Sequence, residues 1–219
     1  MKYKYLLFDL DGTISDPKIG ITKSYQYALK HLGIDVPNLD DLEPVIGPPL
    51  KDSFRELYGL NDEQTKIAIE KYRERFSVKG LFENTIYPGM KDLLEELVAE
   101  GCVLAIASSK PTVFVERICE YFEIKQYFHH IVGSFLDGRR SKKEEVVEEA
   151  IKEFEERDLK KIIMVGDRKF DIVGAHEIGL KAVGVTFGYG GKEELEEAGA
   201  DYIVDTVKDL EKLLFDLIK

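Results

Sequence analysis

Short apolar runs recur along this 219-residue chain and alternate with segments of helical periodicity. The runs are rich in valine and isoleucine and mostly lack polar alternation, which is typical of parallel strands covered on both faces. They are KYLLFD at 4–9, CVLAIA at 102–107, HIVG at 130–133, KIIMVG at 161–166, AVGVTF at 182–187 and, more weakly, YIV at 202–204. This alternation predicts a parallel sheet with right-handed crossovers, and therefore a doubly wound α/β fold.

One region interrupts the alternation. From about residue 16 to residue 83 the chain shows helical periodicity and no convincing strand. DPKIGITKSYQYALKHLG opens on an Asp-Pro start signal and closes on Gly33, and NDEQTKIAIEKYRERF places Ile69, Tyr72 and Phe76 on one helix face. The sequence therefore predicts an α/β core of residues 1–15 and 84–219, with an all-helical insertion of residues 16–83.

Composition narrows the classes of partner and compartment. The net charge of −11 repels long polyanions, so we expect no nucleic-acid polymer and no anionic membrane as partner. No apolar run is long enough to cross a bilayer, and the apolar stretch of the N-terminal MKYKYLLFDL is too short for a signal peptide. Cys102 and Cys119 are too few for a disulfide framework or a zinc site, which favours a cytoplasmic protein.

Polar side chains follow four of the predicted strands. Ligands of open parallel sheets bind beyond the carboxyl ends of the strands, so these side chains should converge on one edge. Carboxylates crowded there repel one another unless a cation lies between them. The residues are Asp9, Asp11, Gly12 and Thr13 after the first run; Ser108, Ser109 and Lys110 after the second; Lys142 and Lys143 after a short loop that follows HIVG; and Gly166, Asp167 and Asp171 after KIIMV.

The residue types at this edge indicate phosphoryl chemistry. Asp9 and Asp11 lie two residues apart at a strand end, so both can face one pocket. Asp9 and Asp167 are hard oxygen ligands that suit Mg²⁺. A carboxylate beside that cation can attack phosphorus and form an aspartyl-phosphate. Asp11 can then protonate the leaving oxygen and later deprotonate the attacking water.

Further groups can hold the phosphoryl oxygens. The Ser108 hydroxyl and the backbone N–H groups around Leu10 and Ser109 are candidates, and a lysine can neutralise the charge that spreads over those oxygens. The predicted substrate contacts are Leu10, Gly12, Thr13, Ser109 and Lys51. The FGYGG run after the fifth strand has glycines suited to close backbone approach, although a turn explains it equally well.

Four motifs of this chain, DLDGT, ASSK, SKKEEV and GDRKFD, resemble those of haloacid dehalogenase-superfamily phosphatases, over essentially the whole chain. The resemblance implies a Rossmann-like core with an inserted α-helical cap, Asp9 as nucleophile and Asp11 as acid and base. It also implies that Asp11 gives Mg²⁺ its main-chain carbonyl, that Ser108 binds phosphate and that Asp167 binds the metal. Asp171 would bind the metal through water or orient the lysine. The Ser-x-Lys spacing points to Lys143 as that lysine, with Lys142 as the rival.

The helical insertion resembles the small cap of the phosphoglycolate-phosphatase-like subgroup, and residues 166–204 resemble 5′-nucleotidases or phosphoglycolate phosphatases. A nucleoside needs a roomy apolar pocket, whereas the carboxylate of glycolate needs a cation. The IGPPL loop at 46–50 with Lys51 is either a substrate contact or a simple turn. The candidate pocket walls, which could equally be cap core, are Tyr25, Phe54, Tyr58, Tyr72 and Phe76; the candidate cations are Lys51, Arg55 and Lys79.

The sequence as a whole predicts a Mg²⁺-dependent phosphatase that acts on a small phosphorylated metabolite through a phosphoaspartate, with 5′-nucleotidase-like specificity. The alternative is a phosphoglycolate phosphatase. A sugar phosphomutase and a non-catalytic phosphate-binding module are less favoured, because a module without turnover need not keep Asp9, Asp11, Ser108, a lysine and Asp167 together. The presence of Asp11 favours phosphoryl transfer over halide displacement. The oligomeric state cannot be read from the sequence.

Overall fold

The structure is a computed structural model and describes residues 2–154, 156 and 158–219. The chain divides into two compact units, one of Met1–Asp16 and Ile86–Lys219 and the other of Pro17–Thr85. The strands are β1 (Tyr5–Phe8), β2 (Ser15–Asp16), β3 (Thr85–Ile86), β4 (Val103–Pro111), β5 (Phe128–Ser134), β6 (Ile162–Gly166), β7 (Lys181–Val185) and β8 (Tyr202–Val204). The helices are α1 (Lys18–His31), α2 (Leu50–Glu56), α3 (Asp62–Arg75), α4 (Met90–Ala99), α5 (Thr112–Tyr121), α6 (Lys143–Lys152), α7 (Lys169–Ile178), α8 (Gly191–Glu197) and α9 (Val207–Ile218).

A six-stranded parallel sheet forms the centre of the first unit, in the order β5-β4-β1-β6-β7-β8. Each of the six apolar runs contributes one strand, so the predicted doubly wound α/β fold is confirmed. All residues of β1 and β6 are buried, which explains why these strands lack polar alternation. Phe8 pairs with Ile106 of β4 and Val165 of β6, so the chain after β1 emerges between its two neighbours.

Helices α6 and α7 pack on one face of this sheet. Tyr5 and Leu7, two residues apart on β1, share a buried cluster with Val147 of α6 and Ile172 of α7. At Gly174 the two helices approach so closely that an added Cβ would lie 3.0 Å from the Lys143 side chain. This packing fixes the first turns of both helices near the carboxyl edge of the sheet.

The second unit has a core of aromatic rings. Tyr25 lies 4.5 Å from Phe54 and 5.2 Å from Tyr72, between ring centroids, and Tyr72 stacks on Phe76 at 5.2 Å. All four side chains are buried and Tyr58 is half-buried. Of the two interpretations that the sequence allows for these four rings, the structure therefore favours core packing over the walls of a nucleoside pocket.

The helices of this unit match the local signals closely. Helix α1 begins directly after Pro17, and Gly33 beyond its end has the left-handed φ of +78° that glycine adopts without strain. Asn61 and Gln64 form a capping box at the start of α3. The predicted apolar face of α3 is slightly wrong, because Ala68 is buried in place of the half-buried Ile69.

The expectation of no strand between residues 16 and 83 needs correction at one end, where Asp16 belongs to β2, which pairs with β3. The function of the helical unit as a cap stays a prediction. Within the described residues, no helix combines the length and the apolarity that a membrane crossing requires. Cys102 and Cys119 are both buried and free.

Candidate active site

A tight turn after β1 brings two sequence-distant carboxylates together. The Asp9 amide donates to the Val165 carbonyl at 2.9 Å, so the pairing of β1 with β6 extends one residue past the strand. Gly12 then turns with a φ of +80°, and a Cβ at this position would lie 2.1 Å from Oδ2 of Asp167. Only glycine lets the backbone pass so close to this carboxylate, so the turn requires a glycine at position 12.

Three buried carboxylates form a cluster at the edge of the sheet. Asp9, Asp167 and Asp171 each offer an oxygen within 4.8 Å of the others. The pKa of Asp167 is raised well above its usual value, mainly by burial and to a smaller extent by repulsion from Asp171 and Asp9. Burial also raises the pKa of Asp171 to about 6, against the opposing effect of Lys143. A hard divalent cation would relieve this repulsion, so the donor set fits the predicted Mg²⁺.

Lys143, the first residue of α6, inserts its ammonium among these carboxylates. The Nζ atom lies 3.0 Å from Oδ1 of Asp9 and 2.6 Å from Oδ1 of Asp171, and it donates to the Ala107 carbonyl at 3.0 Å. Burial disfavours the charged amine, but Asp171 and Asp9 together raise the pKa of Lys143 above its usual range. The side chain of Lys142 is 72% exposed and lies beside Glu144. The structure thus brings Lys143, and not Lys142, to the carboxylates.

Asp11 has a cation of its own. Lys110 Nζ lies 2.6 Å from Oδ2 of Asp11, and both side chains are largely buried. Burial raises the pKa of Asp11, and Lys110 acts in the opposite direction. The sequence places Lys110 after the second apolar run but assigns it no role. Strand β4 continues to Pro111, beyond the predicted 102–107, and this extension carries Lys110 to the edge of the sheet.

The two serines after the apolar part of β4 lie at the same edge. Ser108 is buried, and its hydroxyl oxygen accepts from the Lys110 amide at 3.4 Å. The carbonyl of Ser109 accepts from the Ser134 hydroxyl at 2.8 Å, a contact that ties this segment to the end of β5. These contacts set the backbone that carries Ser108.

The remaining predicted substrate contacts differ in burial and in the unit to which they belong. Leu10 and Thr13 are fully buried, and the Thr13 hydroxyl donates to Oδ1 of Asp167 at 3.4 Å, where it helps to orient that carboxylate. Lys51 belongs to the helical unit and is exposed near the start of α2. Direct contacts of Leu10, Gly12, Thr13 and Lys51 with a substrate stay predictions.

The FGYGG loop after β7 contacts the cluster at Asp167. The sequence allows two interpretations of its glycines, close backbone approach or a simple turn. The Tyr189 amide donates to Oδ2 of Asp167 at 2.8 Å. A Cβ on Gly188 would lie 2.4 Å from the same oxygen, and one on Gly190 would lie 2.2 Å from the Asp167 carbonyl. The glycines therefore serve close backbone approach. The Tyr189 hydroxyl also donates to Asp16, at the end of β2.

Comparison with known proteins places this geometry in a family. Residues 6–185 match the family model described as haloacid dehalogenase-like hydrolase. A 5′-nucleotidase of Pseudomonas aeruginosa is 44% identical over 195 residues, which are 89% of this chain and 88% of that protein. The tyrosine-protein kinase PtkA of Mycobacterium tuberculosis is 35% identical over 95% of this chain and 72% of its own length. The crystal structure of a protein described as a predicted phosphatase, from Clostridium acetobutylicum, matches with a TM-score of 0.95 at 45% identity and covers 99% of this chain and 100% of that one. The resemblance inferred from the four motifs is confirmed, and the chain belongs to the haloacid dehalogenase-like hydrolase family.

Proposed function

We propose that this protein hydrolyses small phosphomonoesters with Asp9 as the nucleophile and with Mg²⁺ as cofactor. One observation carries the proposal: the Asp9 carboxylate lies in a buried cluster with Asp167 and Asp171 while the Lys143 ammonium lies 3.0 Å from it. A buried carboxylate faced by a cation and by metal-binding oxygens is arranged to receive a negatively charged phosphoryl group. The phosphatase description of the Clostridium acetobutylicum protein supports the same reaction class.

The reaction runs in two displacements. A carboxylate oxygen of Asp9 attacks phosphorus, the bond from phosphorus to the ester oxygen breaks, and Asp11 gives its proton to that leaving oxygen. Asp11 then takes a proton from water as the water attacks the aspartyl-phosphate, which releases inorganic phosphate and restores the Asp9 carboxylate. Each proton that Asp11 donates in the first displacement is replaced in the second.

The other polar groups hold charge in place. Mg²⁺, bound by Asp9, Asp167 and the Asp11 carbonyl, would neutralise the phosphoryl oxygens and the attacking carboxylate. Lys143 would bind a phosphoryl oxygen together with Ser108 and the Ser109 amide. Asp171, at 2.6 Å from Lys143, would keep that ammonium oriented.

We infer a preference for nucleoside 5′-monophosphates, with phosphoglycolate as the alternative. The nucleotide preference rests on the 5′-nucleotidase relative at 44% identity, because four of the five aromatic candidates are buried in the helical core. The phosphoglycolate alternative rests on cations of the helical unit. Lys51 and Lys79 are exposed there, whereas Arg55 pairs with Asp62 at 3.1 Å.

Steady-state assays of phosphate release test the reaction and its substrate. We expect Mg²⁺-dependent hydrolysis of several small phosphomonoesters, with kcat/KM for nucleoside monophosphates at or above that for phosphoglycolate. A preference for phosphoglycolate of about a hundredfold, or roughly 2.7 kcal/mol, would reverse the substrate order and leave the reaction class standing. Phosphate and alcohol should appear in equal amounts, since transfer to another acceptor, as in a mutase or a kinase, would leave phosphate short.

The variant Asp9→Asn tests the nucleophile. An amide neither attacks phosphorus nor anchors Mg²⁺ well, so turnover should be abolished while the fold, followed by circular dichroism, is unchanged. The matched control is Asp216→Asn, which alters an exposed carboxylate of α9 and should leave kcat/KM unchanged. Appreciable Mg²⁺-dependent hydrolysis by pure Asp9→Asn protein would overturn the covalent mechanism.

A further inference from the structure

We propose that Lys110 is a positioning residue that fixes the carboxyl group of Asp11 for proton transfer; this inference rests on the proposed function. The two side chains meet at 2.6 Å between Nζ and Oδ2, within the sheet-containing unit. Asp11 lies after β1, whereas Lys110 lies in the last part of β4, far along the chain. The contact exists only because β4 and β1 are adjacent in the sheet.

The two oxygens of Asp11 are in different environments. Oδ2 is held by Lys110, whereas Oδ1 is buried and makes no hydrogen bond within the part of the chain that the structure describes. A buried oxygen without a partner is costly unless a ligand supplies one. Lys110 therefore anchors one oxygen and leaves the other to exchange a proton with the leaving group or with water.

The backbone around Lys110 is shaped for this contact. The pairing of β4 with β5 shifts register between Ala107 and Pro111, which is the segment that contains Ser108 and Lys110. Irregularities of this kind re-aim side chains next to active sites. The Lys110 amide also donates to the Ser108 hydroxyl oxygen, so the backbone and the ammonium of one residue contact two groups of the site.

Lys143 and Lys110 contact different carboxylates of the site. Lys143 lies between Asp9 and Asp171, at 3.0 and 2.6 Å, while Lys110 lies 2.6 Å from Asp11. A lysine that only balanced the charge of the site could serve either group. The distance of 2.6 Å pairs Lys110 with Asp11, the residue that transfers the proton. Loss of Lys110 should therefore lower kcat/KM most for substrates whose leaving oxygen has to be protonated.

Two substrates with different leaving groups measure this dependence. An alkyl phosphate such as glycerol phosphate needs a proton on its leaving oxygen, whereas p-nitrophenyl phosphate releases a stable phenolate. In Lys110→Met, kcat/KM for the alkyl ester should fall on the order of a hundredfold, and kcat/KM for the aryl ester by less than about tenfold. Since Asp11 also activates water, the aryl ester should give a burst of nitrophenolate of about one equivalent per enzyme.

Four companion variants show whether Lys110 acts through Asp11. Lys110→Arg should recover part of the alkyl activity, because it keeps the positive charge near Oδ2. Asp11→Asn with Lys110→Met should lose no more than about twofold beyond Asp11→Asn alone, since the lysine acts through the carboxylate. The double variant also removes both buried charges, so its thermal midpoint should exceed that of Lys110→Met alone. Lys142→Met alters an exposed lysine and serves as the control.

Equal losses on the two esters without a burst would show that Lys110 contacts the phosphoryl group or serves only the fold, and would overturn the inference. Full additivity with Asp11→Asn, or no loss at all, would overturn it as well. Failure of the proposed function has a different signature, because the wild-type protein would then release no phosphate from either ester.

Discussion

At the scale of single residues, the site depends on which cation meets which carboxylate. Adjacent Lys142 and Lys143 differ because α6 begins at Lys143, whose side chain is buried against Gly174 of α7, while Lys142 faces solvent. Removal of a buried ammonium that lies between two carboxylates leaves both carboxylates buried without their cation. Removal of an exposed lysine leaves no buried charge unpaired.

The lysine pair gives the first prediction at this scale. Lys143→Met should lower kcat/KM by about a hundredfold or more, as for the loss of one preorganised charge at the phosphoryl group, whereas Lys142→Met should change it less than about twofold. Phosphate release under identical conditions compares the two variants. If the exposed lysine proves to be the essential one, Lys143 has a purely structural role.

The carboxylate cluster leads to a second prediction at the residue scale, which concerns thermal stability in the presence of Mg²⁺. Mg²⁺ that binds only the folded protein should stabilise it by about 1.4 kcal/mol at ten times the dissociation constant. For a chain of this size that energy corresponds to a rise in the thermal midpoint of roughly 3–5 °C over a sample in EDTA. Asp167→Asn should remove most of this rise, because Asp167 belongs to the cluster, and Asp216→Asn should preserve it. An undiminished rise in Asp167→Asn would place the metal elsewhere.

At the scale of elements, the helical unit is closed by an ion pair between the end of α3 and the segment before β3. Arg75 contacts both oxygens of Glu83, at 3.0 and 2.8 Å, and also donates to the Ser24 hydroxyl of α1. The hydrogen bond from Arg75 holds the pKa of Glu83 below its usual value, against the effect of burial. The pair is partly buried, which makes it stronger than an isolated surface contact.

Glu83→Gln tests this pair through its pH dependence. A carboxylate with a lowered pKa contributes stability above the pKa of the unfolded chain, and this contribution is lost as the pH falls. The variant should be less stable than the wild type by about 1 kcal/mol at neutral pH. The difference should shrink once the pH falls below the unfolded pKa of roughly 4.3, and it should vanish below the lower pKa that Glu83 has in the folded protein. Denaturant unfolding across this pH range measures the difference, and Glu70→Gln on the exposed side of α3 is the control. A difference that is independent of pH would refute the ionic origin.

At the scale of the whole chain, the two cysteines report on the integrity of the sheet-containing unit. Cys102 and Cys119 are buried and free. Burial raises the pKa of Cys102 to about 11 and that of Cys119 to about 12. Because the thiolate is the reactive form, both cysteines should be inert in the native protein.

Thiol labelling with a disulfide reagent should therefore follow unfolding of this unit. At neutral pH the native protein should react slowly, and even at pH 9 the thiolate fraction of Cys102 should be only about 1%. In concentrated guanidinium chloride both cysteines should react at once. Rapid labelling under native conditions would show local opening around β4, which Cys102 directly precedes, or of α5, which contains Cys119.

The fold class and most residues of the candidate site can be predicted from the amino-acid sequence alone. Strands reveal themselves by local apolar runs, and parallel strands meet at one edge, so the residues after each run are predictably neighbours. The sequence therefore predicts that five groups lie together, namely Asp9, Asp11, Ser108, Asp167 and a lysine. The resemblance of four motifs then supplied roles for these residues.

Which polar side chains contact one another depends on tertiary packing and cannot be read from local patterns. The choice of Lys143 over Lys142, the pairing of Lys110 with Asp11 and the contact of the Tyr189 amide with Asp167 each join segments that are distant in sequence. The burial of Tyr25 among the other rings of the helical unit is of the same kind. Local patterns specify where an element lies and which face is apolar, but the direction of a polar side chain at its end depends on the packing of neighbouring elements.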